Sequence, residues 1–265
     1  MVVGRHRLIA GSSGSPVILH VPHASTQIDD DVRARITLTD AALASELALL
    51  TDAHTDVLAE RAAGSARLEP CRFVNLRSRL VVDPERFPDE REELLTRGMG
   101  AVYTRTSHGE RLRADDAAHV EALLAAYYRP YAAAMTSTVD ARLAATGRAV
   151  VIDVHSYPSR SLPYELHADR PRPAVCLGTD PFHTPPGLLA AARDAFSAAG
   201  TVAENAPFGG CYVPLKHYRR DPAVTAIMVE IRRDTYMAEP GGPYTAGLDA
   251  LAAALARLID AATNA

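Results

Sequence analysis

The sequence predicts an α/β fold: a single three-layer domain on a mixed, mostly parallel sheet. Two observations carry this. The runs AVVIDV (149–154) and VTAIMVEI (224–231) are almost continuously apolar, as strands are when helices cover both faces of a sheet. Strand-like and helix-like stretches also alternate through the second half of the chain, the order a crossover-connected sheet requires. The length of 265 residues suits one such domain.

Residues 1–15 read as a loose arm closed by the turn GSSGS, which leaves 16–265 as the α/β domain. PVILHVP (16–22) reads as a buried strand. From about Asp40 to Ala63 the spacing predicts helix, with Leu43, Leu47, Leu50, His54, Val57 and Leu58 near one face. Thr51 and Asp52 offer a break inside it, since either side chain can cap a fresh helix start. RLEPCRFVNL and SRLVVD are expected as two short strands. Residues 84–115 show no clear period and are rich in Arg and Glu; an irregular stretch of that length in a compact domain is usually functional or disordered. A long helix follows from about His119 to Thr146, with Val120, Leu124, Tyr127, Tyr131, Met135, Val139 and Leu143 as its apolar stripe. Pro130 should bend it and Gly147 should close it. Strands are then expected at 149–154, 174–178, 201–205 and 223–231, with helices at 186–199 and from about Tyr244 to Ala262.

Composition narrows the function classes. A net charge of −4 argues against nucleic acid as a partner, which calls for a basic surplus. No apolar run approaches the ~20 residues that span a bilayer, and the N-terminal apolar piece is too short for a signal-peptide core. The expectation is a cytoplasmic protein acting on a small molecule, with its oligomeric state open. Cys71, Cys176 and Cys211 are scattered without a CxxC spacing, so they read as small buried hydrophobes rather than a disulfide or thiolate metal site.

The chemistry concentrates at strand ends. In open parallel sheets ligands bind beyond the carboxyl ends of the strands, and there the sequence places His23, His155 and Glu230. Each has a plain alternative: a buried or capping histidine for the first two, an ion-pair partner of Arg232 or Arg233 for Glu230. Together they suggest one site. Two neutral imidazoles and one carboxylate give a divalent metal three protein ligands and leave a fourth position open, the layout of catalytic zinc; iron, nickel and cobalt suit the same donors. Such a metal makes hydroxide available at neutral pH. The third donor falls in TDAHTD, where Asp52, Asp56 and His54 are the candidates. Glu230 is the carboxylate left to carry the proton. Asp153, two residues before His155 on the same strand face, is placed to orient the histidine ring. Ser156 lacks the G-x-S-x-G setting of a serine nucleophile.

The segments VPHAS, TDAH, SRLVVDPER, YYRPY, DVHS, LGTD, NAPFGGCYVPLKHY and VEIRRDTYM, taken in this order, resemble the N-formylglutamate amidohydrolase family from about residue 16 to 237. The resemblance implies a zinc-carboxypeptidase-like (phosphorylase/hydrolase-like) fold and a zinc hydrolase that cleaves an N-acyl amide, formyl foremost, on a small carboxylate-bearing amino-acid-like substrate. It implies His23, Asp52 and His155 as metal ligands and Glu230 as the base. Arg79 and Arg86 would hold a substrate carboxylate as bidentate forks. The family usually carries R-x-x-x-D-x-N-R there; this chain has Arg79, Asp83, Glu85 and Arg86, with Glu85 in the asparagine position, which should alter the pocket's charge. In NAPFGGCYVPLKHY, Asn205 and Gly210 are expected beside the substrate and His217 as a hydrogen-bond donor or oxyanion stabiliser. Tyr236 is expected at the substrate, with burial in the core as the alternative. Rival functions on the same site are a carboxypeptidase-like peptidase, another deacylase, or a binding protein that retains metal without turnover.

Overall fold

The computed structural model describes residues 4–264; residues 1–3 of the expected arm and the final residue of the domain lie outside the described residues. In chain order the elements are β1 (His6–Ile9), β2 (Val17–Val21), α1 (Asp30–Arg33), α2 (Asp40–Leu50), α3 (Thr55–Ser65), β3 (Cys71–Asn75), α4 (Ala117–Leu123), α5 (Arg129–Thr146), β4 (Ala149–Tyr157), β5 (Val175–Gly178), α6 (Pro186–Phe196), β6 (Val202–Glu204), β7 (Val224–Arg232) and α7 (Gly247–Asn264). Among the described residues the strands form one sheet in the order β1-β3-β2-β4-β7-β5-β6.

The β2–β3, β2–β4, β4–β7 and β5–β6 pairings are parallel, whereas β1–β3 and β5–β7 are antiparallel. Alternation along β4 shows why three layers form. Val150, Ile152 and Val154 face one side and pack with Leu58 and Ala62 of α3, Phe196 of α6 and Leu251, Leu255 and Leu258 of α7. Ala149 and Val151 face the other side, against Tyr131, Met135 and Val139 of α5. A strand buried on both faces has no place for the polar half of an alternating pattern, hence its continuous apolarity.

The arm is a strand in part. His6–Ile9 pair antiparallel with β3 at the sheet edge, from His6 opposite Asn75 to Ile9 opposite Arg72. The His6 ring stacks on Phe73 at 4.9 Å, which anchors a stretch too short to show its alternation. SRLVVD is not a strand: residues 78–83 form a turn, in which the Val81 amide donates to Ser78 O at 2.9 Å. Leu80, Val81 and Val82 are apolar because they fill small cores outside the sheet.

The break at 51–52 is present. The Thr51 amide ends α2 on Leu47 O, and Asp52 O receives both the amide and the hydroxyl of Thr55. Asp52 therefore sits in a gap between helices with its carboxylate directed away from both. The expected bend near Pro130 takes the form of a π-helical turn over Leu124–Tyr128, where the Arg129 amide reaches Leu124 O. The helix continues without a break into α5, so Pro130, which has no N–H to give the preceding turn, is accommodated by that wider π turn. Gly147 closes α5 at φ 78°, a left-handed geometry that favours glycine.

β5 runs against its neighbour, from Val175 opposite Ile231 to Gly178 opposite Met228, so it begins beside the carboxyl end of β7. Gly178 is required there: a Cβ would lie 2.2 Å from Gly210 O.

Candidate active site

Three strands deliver the site. Pro22 turns the chain out of β2 and its carbonyl accepts from Asn75 Nδ2 at 2.9 Å, which holds the next residue, His23, at the carboxyl edge. His23 O accepts the Asp52 amide at 3.0 Å, so the α2–α3 gap is tied to the strand end. His155 on β4 and Glu230 on β7 are register partners; opposite residues of parallel strands point to the same face, so the two side chains share one.

The donor atoms converge. His155 Nδ1 lies 3.1 Å from Asp52 Oδ2, His23 Nδ1 lies 3.6 Å from the same oxygen, and the two Nδ1 atoms are 3.3 Å apart. All three residues are buried, and together they form a group able to hold a metal ion. Two imidazoles pressed nitrogen to nitrogen beside one carboxylate oxygen can share a hydrogen or clasp a metal ion between them. Burial disfavours Asp52's charge, but His155, His23 and Arg233 outweigh it and hold the carboxyl well below its ordinary range. The rivals lie elsewhere: His54 Nε2 faces Gly242 O at 2.8 Å, and Asp56 sits in the first turn of α3, outside the triad.

The outer nitrogens of both rings face carboxylates, the pairing that fixes ring orientation in metal sites. His23 Nε2 lies 2.9 Å from Asp83 Oδ1, and His155 Nε2 lies 3.1 Å from Asp153 Oδ2. Asp83 is held in turn by Arg79 Nη2 at 2.8 Å and by the Tyr103 hydroxyl, which also accepts from Arg79 Nε at 3.0 Å. Burial alone would raise Asp83's pKa; His23 and Arg79 pull it well below the usual carboxylate range. Arg233 Nη2 donates to Asp52 Oδ1 at 3.0 Å and to Ser156 O at 3.2 Å, fixing the third donor.

Glu230 is different. It is 9% exposed, its Oε2 is buried without a hydrogen-bond partner, and burial, opposed by His155 and reinforced by Asp52, pushes its pKa up to about 7. A carboxyl poised near neutrality beside a polar cluster is suited to moving protons.

His23, His155 and Glu230 open on a cavity of about 720 Å³, room for a small molecule. Arg79, Arg86, Asn205 and Gly210 also line it. Arg86 Nη1 lies 3.3 Å from Glu92 Oε1. Asn205 spends its amide on Thr179, accepting from the Thr179 amide at 2.9 Å and donating to its hydroxyl at 2.8 Å. Two expected residues are not in the site. The ring of His217 is held between Asp140, at 2.9 Å from Nε2, and Asp221, at 3.2 Å from Nδ1, and does not line the cavity. Tyr236 is wholly buried, its hydroxyl donating to Ala53 O at 2.7 Å, so it belongs to the core.

Several residues escaped the sequence reading. Arg233 counted only as an ion-pair partner of Glu230, yet it binds Asp52. Tyr103 sits in an aperiodic stretch without a signal. His20, one turn of chain before His23, looks like any polar break in a strand; its Nδ1 lies 2.9 Å from Asp153 Oδ1 and its Nε2 lies 2.6 Å from the Tyr131 hydroxyl. Burial opposes its charge, but Asp153 and Glu85 raise its pKa to about 9.

Fold and site together define a three-layer α/β protein with its polar groups gathered at the carboxyl edge of the sheet. The N-formylglutamate amidohydrolase family model matches residues 15–237, and the chain belongs to that family. It is an amidohydrolase. No curated protein matches the chain. Among solved structures it is similar to the N-formylglutamate amidohydrolase of Ralstonia eutropha JMP134, at 22% identity and a TM-score of 0.78 over 99% of this chain and 98% of that one. It is also similar to a gene product of Agrobacterium tumefaciens, at 21% identity and a TM-score of 0.69 over 98% and 95%.

Proposed function

We propose that the protein is a zinc-dependent amidohydrolase that removes the N-acyl group, formyl foremost, from a small carboxylate-bearing amino-acid-like substrate. The observation that carries this reading is the meeting of His23 Nδ1, His155 Nδ1 and Asp52 Oδ2 in one buried group beside the unpartnered carboxyl of Glu230. The donor set, two imidazoles and a carboxylate, fits zinc, with iron, nickel or cobalt as alternatives.

When bound, the metal would polarise the acyl carbonyl and lower the pKa of a nearby water. The chain's own residues do the rest. Asp83 and Asp153 keep the two rings turned with Nδ1 inward, and Arg233 keeps Asp52 from swinging away. Glu230 takes a proton from the attacking water. The water oxygen joins the acyl carbon, the C–N bond breaks, and Glu230 returns the proton to the leaving amine nitrogen. A pKa near 7 lets one group both accept and donate at neutral pH. Arg86, whose side chain is 21% exposed at the cavity, is the arginine best placed to meet the substrate carboxylate; Arg79 is spent on Asp83 and Tyr103.

The partner is thus a small molecule, with neither nucleic acid nor membrane involved, and a cytoplasmic setting belongs to the same proposal. No helix among the described residues is long and apolar enough to cross a membrane. The test is metal analysis of protein purified without chelator, followed by assay of formyl and acetyl amino acids. One equivalent of metal with formyl-amino-acid hydrolysis is the expected result. Protein that takes up no divalent metal, or is inactive when loaded, overturns the reading.

A further inference from the structure

Glu85 was expected to alter the charge of the substrate pocket. It lines the cavity, and its carboxylate also faces three histidine rings. Glu85 Oε2 lies 3.0 Å from His155 Nε2 and 3.8 Å from His23 Nε2, while Oε1 lies 3.3 Å from His20 Nδ1. Asp153 touches two of the same rings from the other side, at 2.9 Å from His20 Nδ1 and 3.1 Å from His155 Nε2. The four side chains close a ring in which carboxylate and imidazole alternate: Asp153, His20, Glu85, His155. His20, Asp153 and His155 are buried, and the Glu85 side chain is 14% exposed. His155 Nε2 is itself buried and without an aligned hydrogen bond, though two carboxylate oxygens flank it. A slight turn of the ring hands its N–H to either one.

We propose that Glu85 is a positioning residue of the metal centre: together with Asp153 it holds the outer nitrogen of His155 and so sets how firmly His155 grips a cation. The inference rests on the metal reading of His23, Asp52 and His155 given above. Its physical basis is that a carboxylate behind a ligating imidazole fixes the ring's tautomer and orientation and strengthens it as a donor. His155 has two such carboxylates, and His20, lying between them, offsets part of their combined charge. Glu85 is also the second residue of the irregular 84–115 segment, and its amide donates to Asp83 Oδ1 at 3.2 Å, so the same residue ties that segment to both proposed metal-binding histidines.

Zinc affinity, measured by competition with a chelator, tests this on the full chain. Glu85→Gln keeps the side chain's size and removes its charge; Glu85→Asn also removes its reach. Both should bind zinc 10–100-fold more weakly than the wild type. At saturating zinc, kcat/KM for formylalanine and formylglutamate should fall by a common factor, because Glu85 acts on the metal centre rather than on the substrate. Zinc affinity within twofold of wild type in both variants overturns the proposal. So does a selective gain for the dicarboxylate, which would mean that Glu85 faces the substrate. If Glu85→Asn fails to fold, the isosteric Glu85→Gln decides. A wild-type protein that binds no zinc sinks the metal reading and this inference together, whereas a zinc-binding wild type with unaffected variants sinks this inference alone.

Discussion

The two walls of the site are built on different principles. One is made of strands: His155 and Glu230 sit opposite each other in the β4–β7 ladder, and nine consecutive residue pairs from Ala149–Val224 to Tyr157–Arg232 hold them in register. The other is the irregular stretch from Arg77 onward, with no ladder at all. There Arg79, Tyr103, Asp83, Arg86 and Glu92 hold one another through buried charges and hydrogen bonds. The strand wall is positioned by backbone, so one side chain can be replaced without moving its neighbours. The segment wall is positioned by side chains, so a lost atom leaves a buried charge unmatched. The first wall carries His155 and Glu230; the second carries Asp83, which faces the outer nitrogen of His23, and Arg86 at the cavity.

This contrast can be broken or sharpened by experiment. Glu230→Gln should have the largest effect: turnover falls 10²–10⁴-fold while metal content stays near wild type. A parallel loss of metal would show that the strand wall is not independent of its side chains. The second test uses protein stripped of metal by chelation. Glu230's pKa in the folded chain, about 7, is raised from its ordinary 4.5, so its neutral form is the one the fold favours. Its contribution to stability is therefore fully present below about pH 4.5 and is lost as pH rises through 7. Relative to Glu230→Gln, the wild type should lose about 3 kcal/mol across that window in denaturant titrations. A flat difference would show that burial does not perturb the group.

On the segment wall, Asp83→Asn should weaken zinc binding 10–100-fold, measured by chelator competition, because His23 loses the carboxylate behind it. Tyr103→Phe removes the hydroxyl shared by Arg79 and Asp83 and should cost about 2 kcal/mol of stability in thermal unfolding. Equal tolerance of Tyr103→Phe and of a strand-wall change would erase the distinction between the walls. The smallest effect is expected at His217, whose ring is bound to Asp140 and Asp221 away from the cavity: His217→Ala should leave kcat/KM within twofold.

The same contrast explains what was legible in the sequence. β4 and β7 announce themselves because strands covered on both faces must be apolar throughout, and a histidine or glutamate at the end of such a run stands out. The break at Asp52 was readable because capping residues interrupt a helical period. β1 is four residues long, too few for a pattern, and SRLVVD imitates a strand because a buried turn uses the same apolar residues. The direction of β5 leaves no mark, since Val175 to Gly178 are buried whichever way the strand runs. Partnerships on the segment wall, such as Tyr103 with Asp83 or Glu85 with His20, depend on the folded path of an aperiodic chain. Asp153's part behind His155 could be anticipated only because strand geometry sets that spacing. His217 and Tyr236 lie in the right stretches of chain but point elsewhere, and side-chain direction in a loop or 3₁₀ turn has no periodicity to reveal it.

The reversed course of β5 has a last consequence. Because the strand starts beside the carboxyl end of β7, the connection leading into it arrives over the cavity, and Leu162, Tyr164, Leu166, His167 and Arg170 all become part of the rim. None of the proposed metal donors, nor Glu230, lies on that connection. A change of length or sequence in that connection would therefore reshape the mouth of the cavity and leave those residues in place.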